Sequence, residues 1–332
     1  MTAGSRNGLS MRPVQFVRPE HSTIVNALRL SDYADAIALD EPFRPGTTDA
    51  PDRPVLVRAA LADLIADGTA ARLRLSGSEI ERVADEHPAM ARQLLTALLT
   101  VRPAGGWSPA ALSRVDSLLS AEAADRVSVS AKDLPRINQT HPASTYSAAD
   151  RTALWRGDRT TLAADAVVNA ANGALLGCFA LGHDCVDSTL HSAAGPRMRV
   201  DCARVMELQG HPEPTGSAKI TRGYHLPARH VLHTVGPVVG GSPDASGARA
   251  LISCYRSCLD LAAEAGARTV AFSPISTGAL GYPRLPAARV ALATVAGWLR
   301  ARPGTVDLVV FDVSDDADHT AHTSVLSELP AW

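Results

Sequence analysis

Two cysteines and one histidine lie close together in the segment 177–185, which reads Gly-Cys-Phe-Ala-Leu-Gly-His-Asp-Cys. Cys178, His183 and Cys185 offer two thiolates and one imidazole, a donor set that suits tetrahedral zinc. Three ligands leave a fourth position for a water or a substrate oxygen, as catalytic zinc sites require. Free cysteines are also often small buried apolar residues, and lone histidines often pair with the backbone. The spacing alone leaves both interpretations open.

The other cysteines favour burial over a disulfide framework. The chain has five cysteines, an odd number, and its first residues lack the apolar stretch of a secretory signal peptide. A reducing cytoplasm is therefore the expected location. Cys202 is in phase with apolar residues on a helical pattern, which predicts a core position, although as a fourth zinc ligand it would make the site structural. Cys254 and Cys258 are also expected to pack in the core.

The composition is that of a folded chain with a large apolar core. The chain has 332 residues, of which 46% are hydrophobic and 20% charged. No apolar run approaches the roughly 20 residues that a membrane-spanning helix needs. The formal net charge is −2, so no basic field would recruit nucleic acid. Neither a membrane nor direct nucleic-acid binding is expected.

Helical patterns dominate the first part of the chain. Residues 1–50 carry many prolines around one amphipathic stretch, Ile24–Leu39, and are expected to form a poorly defined N-terminal segment. Residues 51–147 predict a helical N-terminal extension. Helices are expected at Val55–Ala66, Ile80–Thr100 and Pro109–Ala124. Ser108 is the expected N-cap of the third helix. The polar, proline-containing residues 128–147 indicate a connection to the next domain.

Residues 148–332 alternate short β-branched strands with helices, which predicts a three-layer α/β/α domain around a mixed, mostly parallel sheet. The predicted strands are Ala153–Asp158, Ala166–Asn169, Ala218–Thr221, His230–Val235, Thr269–Ser273 and Val306–Val313. The predicted helices are Val186–Ala194, Met198–Gln209, Ala248–Ala265, Pro286–Arg300 and Ala317–Leu329. Ligands of such sheets bind beyond the carboxyl ends of the strands, where the loops 169–185 and 274–284 are expected.

The loop after the strand Thr269–Ser273 has the residue types of an anion site. Gly278 and Gly281 would let backbone N–H groups approach a diphosphate, and Ser276 and Thr277 add hydroxyl donors. A plain turn has the same composition. The loop does not have a Walker sequence, because no Gly-Lys-Ser/Thr follows the glycines.

Carboxylate and amide side chains follow the other strands. Asp158 would accept a hydrogen bond from the exocyclic amine of a base, or would cap a turn. Asn169 and Asn172 would hold sugar hydroxyls, or would stabilise their own turn. Asp187 and His191 are one helical turn apart just after the cysteines, which places Asp187 near the expected metal as an orienting group or a general base.

Taken in chain order, these segments resemble the macrodomain family, and within it the zinc-containing branch of protein ADP-ribosyl hydrolases of bacteria and fungi. The resemblance covers about residues 150–313, and the stretch Leu95–Leu119 is similar to the N-terminal extension of that branch. It depends on the segments Leu154-Trp-Arg-Gly-Asp158, Val167-Val-Asn-Ala-Ala-Asn172, Leu176-Gly-Cys-Phe179, His183-Asp-Cys185, His191-Ser-Ala-Ala-Gly195, Gln209-Gly-His-Pro-Glu-Pro-Thr-Gly-Ser-Ala-Lys-Ile220, Val231-Leu-His-Thr-Val-Gly-Pro237, Ser253-Cys-Tyr-Arg-Ser-Cys-Leu259 and Ile275-Ser-Thr-Gly278.

The resemblance implies an ADP-ribose site in the cleft above the sheet. Asp158 would bind the adenine amino group, residues 276–282 would surround the diphosphate, and Asn172 would contact the distal ribose. The implied ADP-ribose-binding residues are Asp158, Arg159, Asn169, Asn172, Ser276, Thr277, Gly278, Ala279, Leu280, Gly281 and Tyr282.

The activity implied by the resemblance is zinc-dependent hydrolysis of mono-ADP-ribose from modified proteins. Asp187 and Asn172 would be its catalytic residues, beside one zinc ion with an open position. A non-catalytic reader of ADP-ribose and a hydrolase of a small acyl-ADP-ribose are the alternatives. Some relatives suggest a companion ADP-ribosyltransferase of the sirtuin type.

The chain departs from the family pattern at three places. Ser188 stands where the family usually has asparagine, and residues 180–182 lack the usual proline. Near the last strand and the helix after it, the family commonly has aromatic residues that stack on adenine, whereas this region reads Phe311-Asp-Val-Ser-Asp-Asp-Ala-Asp-His-Thr-Ala-His322. Either the affinity for adenine is weaker, or His319 or His322 takes the stacking role.

Overall fold

The second half of the chain is built on one mixed sheet. The computed structural model describes residues 28–44 and 52–328, and within them six strands form this sheet while two more form a short parallel pair. The sheet order is β2-β8-β7-β4-β6-β5, and every neighbouring pair is parallel except β5 with β6. The predicted mixed, mostly parallel sheet is confirmed. The strands are β1 (Val129–Ser130), β2 (Thr152–Trp155), β3 (Leu162–Ala163), β4 (Ala166–Ala171), β5 (Ala218–Arg222), β6 (His230–Val235), β7 (Thr269–Phe272) and β8 (Leu308–Asp312).

Helices cover both faces of this sheet. They are α1 (Arg53–Ala66), α2 (Gly77–Glu86), α3 (Pro88–Val101), α4 (Pro109–Ala124), α5 (Ile137–Thr140), α6 (Val186–Ala194), α7 (Pro196–Gln209), α8 (Ala245–Glu264), α9 (Arg284–Ala301) and α10 (Asp316–Leu326). On β4, Val168 faces a core lined by α8, α9 and α10, whereas Val167 faces a core lined by α6 and α7. This is the predicted three-layer arrangement. Among the described residues, no helix has both the length and the apolar character needed to cross a membrane.

The predicted helices agree with the structure except in one segment. The helix Pro109–Ala124 and the strand His230–Val235 have the predicted ends. The single helix predicted for Ile80–Thr100 is wrong, because this segment belongs to α2 and α3, which are separated at His87. Pro88 lacks a backbone N–H and disfavours helical angles in the residue before it. His87 accordingly has φ −137° and ψ 75°, and α3 begins at Pro88.

The helices α1 to α4 pack around a core of their own, which includes the fully buried Leu61 and Leu95. A buried carboxylate of α4 connects this core to the α/β domain. Asp116 accepts a hydrogen bond from Arg197 Nε at 2.6 Å, and its other oxygen lies 3.3 Å from His225 Nε2. The helical extension is therefore docked on α7 and on the turn that precedes β6.

The N-terminal segment covers one edge of the sheet. The beginning of the predicted amphipathic stretch Ile24–Leu39 lies outside the described residues, and the rest forms 3₁₀ turns at Leu30–Asp32 and Asp35–Ile37. Tyr33 is buried between these turns, and its hydroxyl oxygen accepts the backbone N–H of Ile220 at 3.0 Å. Ile220 lies on the edge strand β5, where its backbone N–H faces away from the sheet and has no neighbouring strand to bind. The Tyr33 hydroxyl takes the place of a strand as its hydrogen-bond acceptor.

A buried ion pair fixes the loop between α7 and β5. Lys219 Nζ donates to both carboxylate oxygens of Glu213, at 2.8 and 2.7 Å, and both side chains are almost fully buried. Gln209 Nε2 donates to the same carboxylate at 2.8 Å. The backbone N–H of Glu213 donates to the carbonyl of Gly173 at 2.7 Å. The ion pair therefore also holds the loop that follows β4.

Replacing Lys219 tests this role. Lys219→Met should lower the free energy of unfolding by about 3–5 kcal/mol, because it leaves the Glu213 carboxylate buried without its partner. The only other lysine, Lys132, is exposed, so Lys132→Met is a matched control that should change stability by less than about 0.5 kcal/mol. Urea unfolding measures both values. Equal stability of the two variants would contradict a stabilising role for the pair.

Candidate functional site

Cys178, His183 and Cys185 come together between β4 and α6, in residues 178–185, which we call the ligand loop. Their ligand atoms all lie within 4.8 Å of one another, and Cys178 Sγ is 3.3 Å from His183 Nδ1. A sulfur and a nitrogen on one tetrahedral zinc are about 3.6 Å apart, so the donor atoms have the type and spacing that fit zinc. Both cysteines are half-buried and His183 is exposed, which leaves the cluster accessible from the surface.

Short-range constraints hold both ends of the ligand loop. Gly177 has φ +85°, and a Cβ atom there would lie 2.9 Å from the His191 ring, so glycine is required. At the other end Cys185 caps α6: its backbone N–H donates to Ser188 Oγ at 3.2 Å, and its Sγ accepts the Ser188 N–H at 3.4 Å. Ser188 Oγ also donates to the His183 carbonyl at 2.7 Å. The serine that departs from the family pattern thus fixes one end of the loop.

Asp187 lies in the first turn of α6 with only 5% of its surface exposed. Asn169 Nδ2 donates to one carboxylate oxygen at 2.7 Å, and Asn172 Nδ2 donates to the other at 3.3 Å. Burial raises the pKa of Asp187 to about 6, while the hydrogen bond from Asn169 opposes that shift. Asn169 is fully buried behind the carboxylate, and Asn172 is exposed beside it. The structure therefore brings together three residues that the sequence singled out separately.

His233 and Thr221 are buried side chains that the sequence analysis missed, and they hold the asparagine that donates to Asp187. His233 Nδ1 lies 3.2 Å from Asn169 Nδ2, and His233 Nε2 lies 2.9 Å from Thr221 Oγ1. Burial lowers the pKa of His233 to about 3, so the ring is neutral and Nδ1 can accept the asparagine N–H. The one sequence signal for this role is a histidine inside the strand pattern of β6.

Cys202 belongs to this buried group and lies apart from the ligand loop. Its Sγ is 3.7 Å from His233 Nε2, and together with His191 these residues form a second, fully buried set of donor atoms. The expected core position of Cys202 is confirmed. Cys254 and Cys258 are likewise buried, with free thiols.

The glycine-bearing loop after β7 is anchored to the segment after β6. The carbonyl of Leu280 accepts the Val239 N–H at 2.7 Å. Gly281 has φ +72°, and a Cβ atom there would lie 2.5 Å from the Val239 carbonyl oxygen, so no side chain fits. A Cβ atom on Gly278 would meet nothing within 4 Å. The tip of the loop is therefore open to a ligand while its base is fixed.

Two further residues of this loop, Ser276 and Thr277, form anchoring hydrogen bonds, whereas Ala279 is exposed. Ser276 is buried with φ +66°, and its carbonyl accepts the Tyr282 N–H at 2.9 Å. Thr277 Oγ1 donates to Asp318 Oδ2 at 3.3 Å, which connects the loop to the first turn of α10. Ala279 is exposed at the tip.

At the end of β2, Asp158 acts as a turn cap in this structure. Its Oδ1 accepts hydrogen bonds from Thr160 N at 2.9 Å and from Thr160 Oγ1 at 2.8 Å. Asp158 is exposed, so its second carboxylate oxygen remains accessible to a ligand. Arg159 Nε donates to Asp312 Oδ2 at 3.2 Å, at the end of the neighbouring strand β8. Burial raises the pKa of Asp312 to about 6, and Arg159 opposes that shift.

His322 does not lie where an adenine-stacking residue would be needed. It is buried in α10, its ring packs against Phe311 with centroids 5.5 Å apart, and its Nδ1 lies 2.8 Å from the Asp318 carbonyl oxygen. Its expected stacking role is therefore wrong, because the ring faces the core. His319 is half-buried.

A cavity of about 680 Å³ lies at the opposite end of the sheet, near the starts of β4, β6 and β7. Asp165, Arg222 and His230 are among the residues that line it. Parallel α/β sheets bind ligands beyond the carboxyl ends of their strands, and the ligand loop and the glycine-bearing loop follow the carboxyl ends of β4 and β7. We therefore place the candidate site in the region between these two loops, which we call the carboxyl-end cleft.

This fold and cleft define a known class of α/β protein. A family model described as Macro domain matches residues 168–291. A Staphylococcus aureus (strain MSSA476) protein named protein-ADP-ribose hydrolase is 41% identical over 227 residues, which are 68% of this chain and 81% of that protein. The chain therefore belongs to the macrodomain family.

Two further comparisons agree with this assignment. A Treponema medium protein named protein-ADP-ribose hydrolase is 44% identical over 174 residues, which are 52% of this chain and 66% of that protein. The crystal structure of a Trypanosoma brucei macrodomain in complex with ADP-ribose has a TM-score of 0.53 and 32% identity, covering 70% of this chain and 95% of that one. The predicted macrodomain fold is confirmed.

Two glycines of the same segment test the constraint on the ligand loop. Gly177→Ala should lower stability by about 2–3 kcal/mol, because it adds a clash with the His191 ring to the strain of a left-handed backbone. Gly182→Ala is the matched control: Gly182 also has a positive φ but has nothing within 4 Å of a Cβ, so about 1 kcal/mol is expected. Thermal unfolding measures both. If the two losses are equal, the His191 contact does not constrain the loop.

Proposed function

We propose that this chain is a zinc-dependent hydrolase that removes mono-ADP-ribose from modified proteins. One observation carries the proposal: a buried carboxylate, Asp187, is held by two asparagines and lies two residues after the last member of a Cys-His-Cys donor set. A module that only binds ADP-ribose needs neither a carboxylate held in this way nor an accessible metal site. The names of the Staphylococcus aureus and Treponema medium relatives support the same activity.

The proposed substrate position follows the carboxyl-end cleft. The diphosphate would lie against the exposed tip of the glycine-bearing loop, where Gly278 and Ala279 present backbone N–H groups. The accessible oxygen of Asp158 would accept the adenine amino group at one end. Asn172 and the ligand loop would surround the distal ribose at the other end, so that the bond to the protein lies near Asp187.

The reaction replaces the bond between the distal ribose and the protein side chain by a bond to water oxygen. Asp187 would orient the attacking water and accept a proton from it, and its two asparagine donors hold the carboxylate in place. Zinc on Cys178, His183 and Cys185 would supply Lewis acidity to oxygen atoms near the ribose. The proton then passes to the leaving side chain, which departs as a free carboxyl or hydroxyl group.

Release of ADP-ribose with and without a chelator tests the proposal. The purified chain should release ADP-ribose from a mono-ADP-ribosylated protein, and a zinc chelator should abolish release. About one zinc per chain is expected from a single three-ligand site. Tight ADP-ribose binding without release from acid-, serine- or arginine-linked substrates would favour a reader. Faster turnover of acyl-ADP-ribose than of any modified protein would favour a small-molecule hydrolase.

Cysteine variants distinguish the effect of losing the metal from the effect of disturbing the fold. Cys178→Ala should lose zinc and lower turnover at least about 100-fold, because a metal ligand is removed, while ADP-ribose binding changes little. Cys258→Ala removes a buried thiol on α8 and should keep zinc and turnover. Cys202→Ala should keep its zinc, because Cys202 lies outside the ligand loop. Zinc content is measured by plasma mass spectrometry, and normal turnover by zinc-free Cys178→Ala would exclude a role for the metal.

A further inference from the structure

Arg199 of α7 makes an unusual set of contacts with the helical extension. Only 8% of its surface is exposed. One of its terminal nitrogens, Nη1, donates to the carbonyl oxygens of Leu99 at 2.8 Å, Thr100 at 3.2 Å and Arg102 at 2.7 Å. These acceptors lie about 100 residues before Arg199 in the chain. The side chain therefore joins α7 directly to the end of α3.

The acceptors of Arg199 are groups that α3 leaves unpaired. The last carbonyls of a helix have no partner within it, and they form the negative end of the helix dipole. A guanidinium group is suited to this position because it offers several donors in one plane and stays charged. Arg199 Nη1 therefore satisfies the end of α3 and places the positive charge at the negative end of the helix dipole, whereas the buried Nε has no hydrogen-bond partner among the described residues.

The turn that carries these carbonyls is itself held rigidly. Arg102 Nε donates to Asp67 Oδ2 at 2.8 Å, and its Nη1 donates to the carbonyls of Pro103 and Gly105 at 2.9 and 3.0 Å. The Arg102 guanidinium also lies 3.6 Å above the Trp107 ring. Arg199 is thus fixed by a preformed part of the helical extension.

The Arg199 guanidinium also lies next to the ligand loop. Its guanidinium carbon lies 4.7 Å from the centre of the Phe179 ring. Phe179 directly follows Cys178, and it is 42% exposed, so few other groups restrain it. Arg199 therefore reaches the site through a ring that adjoins a metal ligand.

We propose that Arg199 is a positioning residue through which the helical extension holds the ligand loop in the shape that binds the metal. The end of α3 fixes Arg199, Arg199 fixes the Phe179 ring, and the ring restrains the backbone on which Cys178 is carried. This inference rests on the proposed function for its metal, but the restraint of the loop exists in the metal-free chain as well.

Amide hydrogen exchange of the whole chain without metal tests the restraint directly. Arg199→Met should speed exchange in the ligand loop about three- to tenfold, because the ring loses its cationic partner. Phe179→Leu changes a partly exposed side chain, which the fold should tolerate, and should have the same effect at the same amides. Arg204→Gln is the matched control, since Arg204 is exposed on the same helix and pairs only with Glu207 among the described residues.

Zinc affinity provides a second readout that does not depend on turnover. Chelator competition should show about tenfold weaker zinc binding in Arg199→Met, as expected for a residue that positions a metal ligand. The double variant Arg199→Met/Phe179→Leu should be no weaker than Arg199→Met alone, because both changes break one contact. Arg199→Lys keeps the positive charge but loses the planar guanidinium group. Its zinc affinity should therefore lie between those of the wild type and Arg199→Met.

The outcomes separate this inference from the proposed function. Unchanged exchange in the ligand loop of both single variants would overturn the inference. So would faster exchange throughout α6 and α7 in Arg199→Met with no change in Phe179→Leu, since that pattern indicates general destabilisation. If the wild-type chain releases no ADP-ribose, the proposed function fails, and the exchange data still decide the role of Arg199.

Discussion

Asp187 is buried with 5% of its surface exposed, and a carboxylate in such a place has to be matched by donors from the protein. Asn169 and Asn172 supply them, and both lie at the carboxyl end of β4. The first turn of α6 adds the positive end of its dipole. This one charge therefore links β4 to α6, which also share an apolar core that includes Val167 and Leu190, and the ligand loop connects the two elements.

The support of this carboxylate extends into neighbouring strands. An asparagine amide can rotate and present its oxygen to Asp187, which would repel it. The neutral His233 ring on β6 prevents this, because it accepts the second N–H of Asn169, and Thr221 on β5 fixes the other ring nitrogen. Three adjacent strands thus contribute one side chain each to a single hydrogen-bonded row. This row gives hydrogen-bond partners to the Asn169 amide nitrogen, both His233 ring nitrogens and the Thr221 hydroxyl in the interior of the sheet.

Much of the fold and part of the site could be predicted from the sequence. The spacing of apolar residues, and the glycines and prolines between the apolar segments, predicted the order of strands and helices. The close spacing of Cys178, His183 and Cys185 predicted a local cluster. His233 and Arg199 were missed because their partners are distant in sequence, and the types of these residues alone do not indicate what they contact. The helix break at His87 was missed because apolar spacing continues across it, although Pro88 carried the signal.

The ligand loop has little backbone hydrogen bonding of its own beyond the bond from the His183 N–H to the Ala180 carbonyl at 3.4 Å, so much of its shape has to come from its surroundings. Gly177 packs against His191 at its start and Ser188 holds the His183 carbonyl at its end, but neither contact reaches the middle of the loop. The absence of the family's usual proline at residues 180–182, and the presence of Gly182, leave that middle section with more backbone freedom. Phe179 directly precedes that section, and the Arg199 guanidinium lies 4.7 Å from the centre of its ring. The helical extension therefore compensates, through one arginine, for stiffness that this loop lacks in its own sequence.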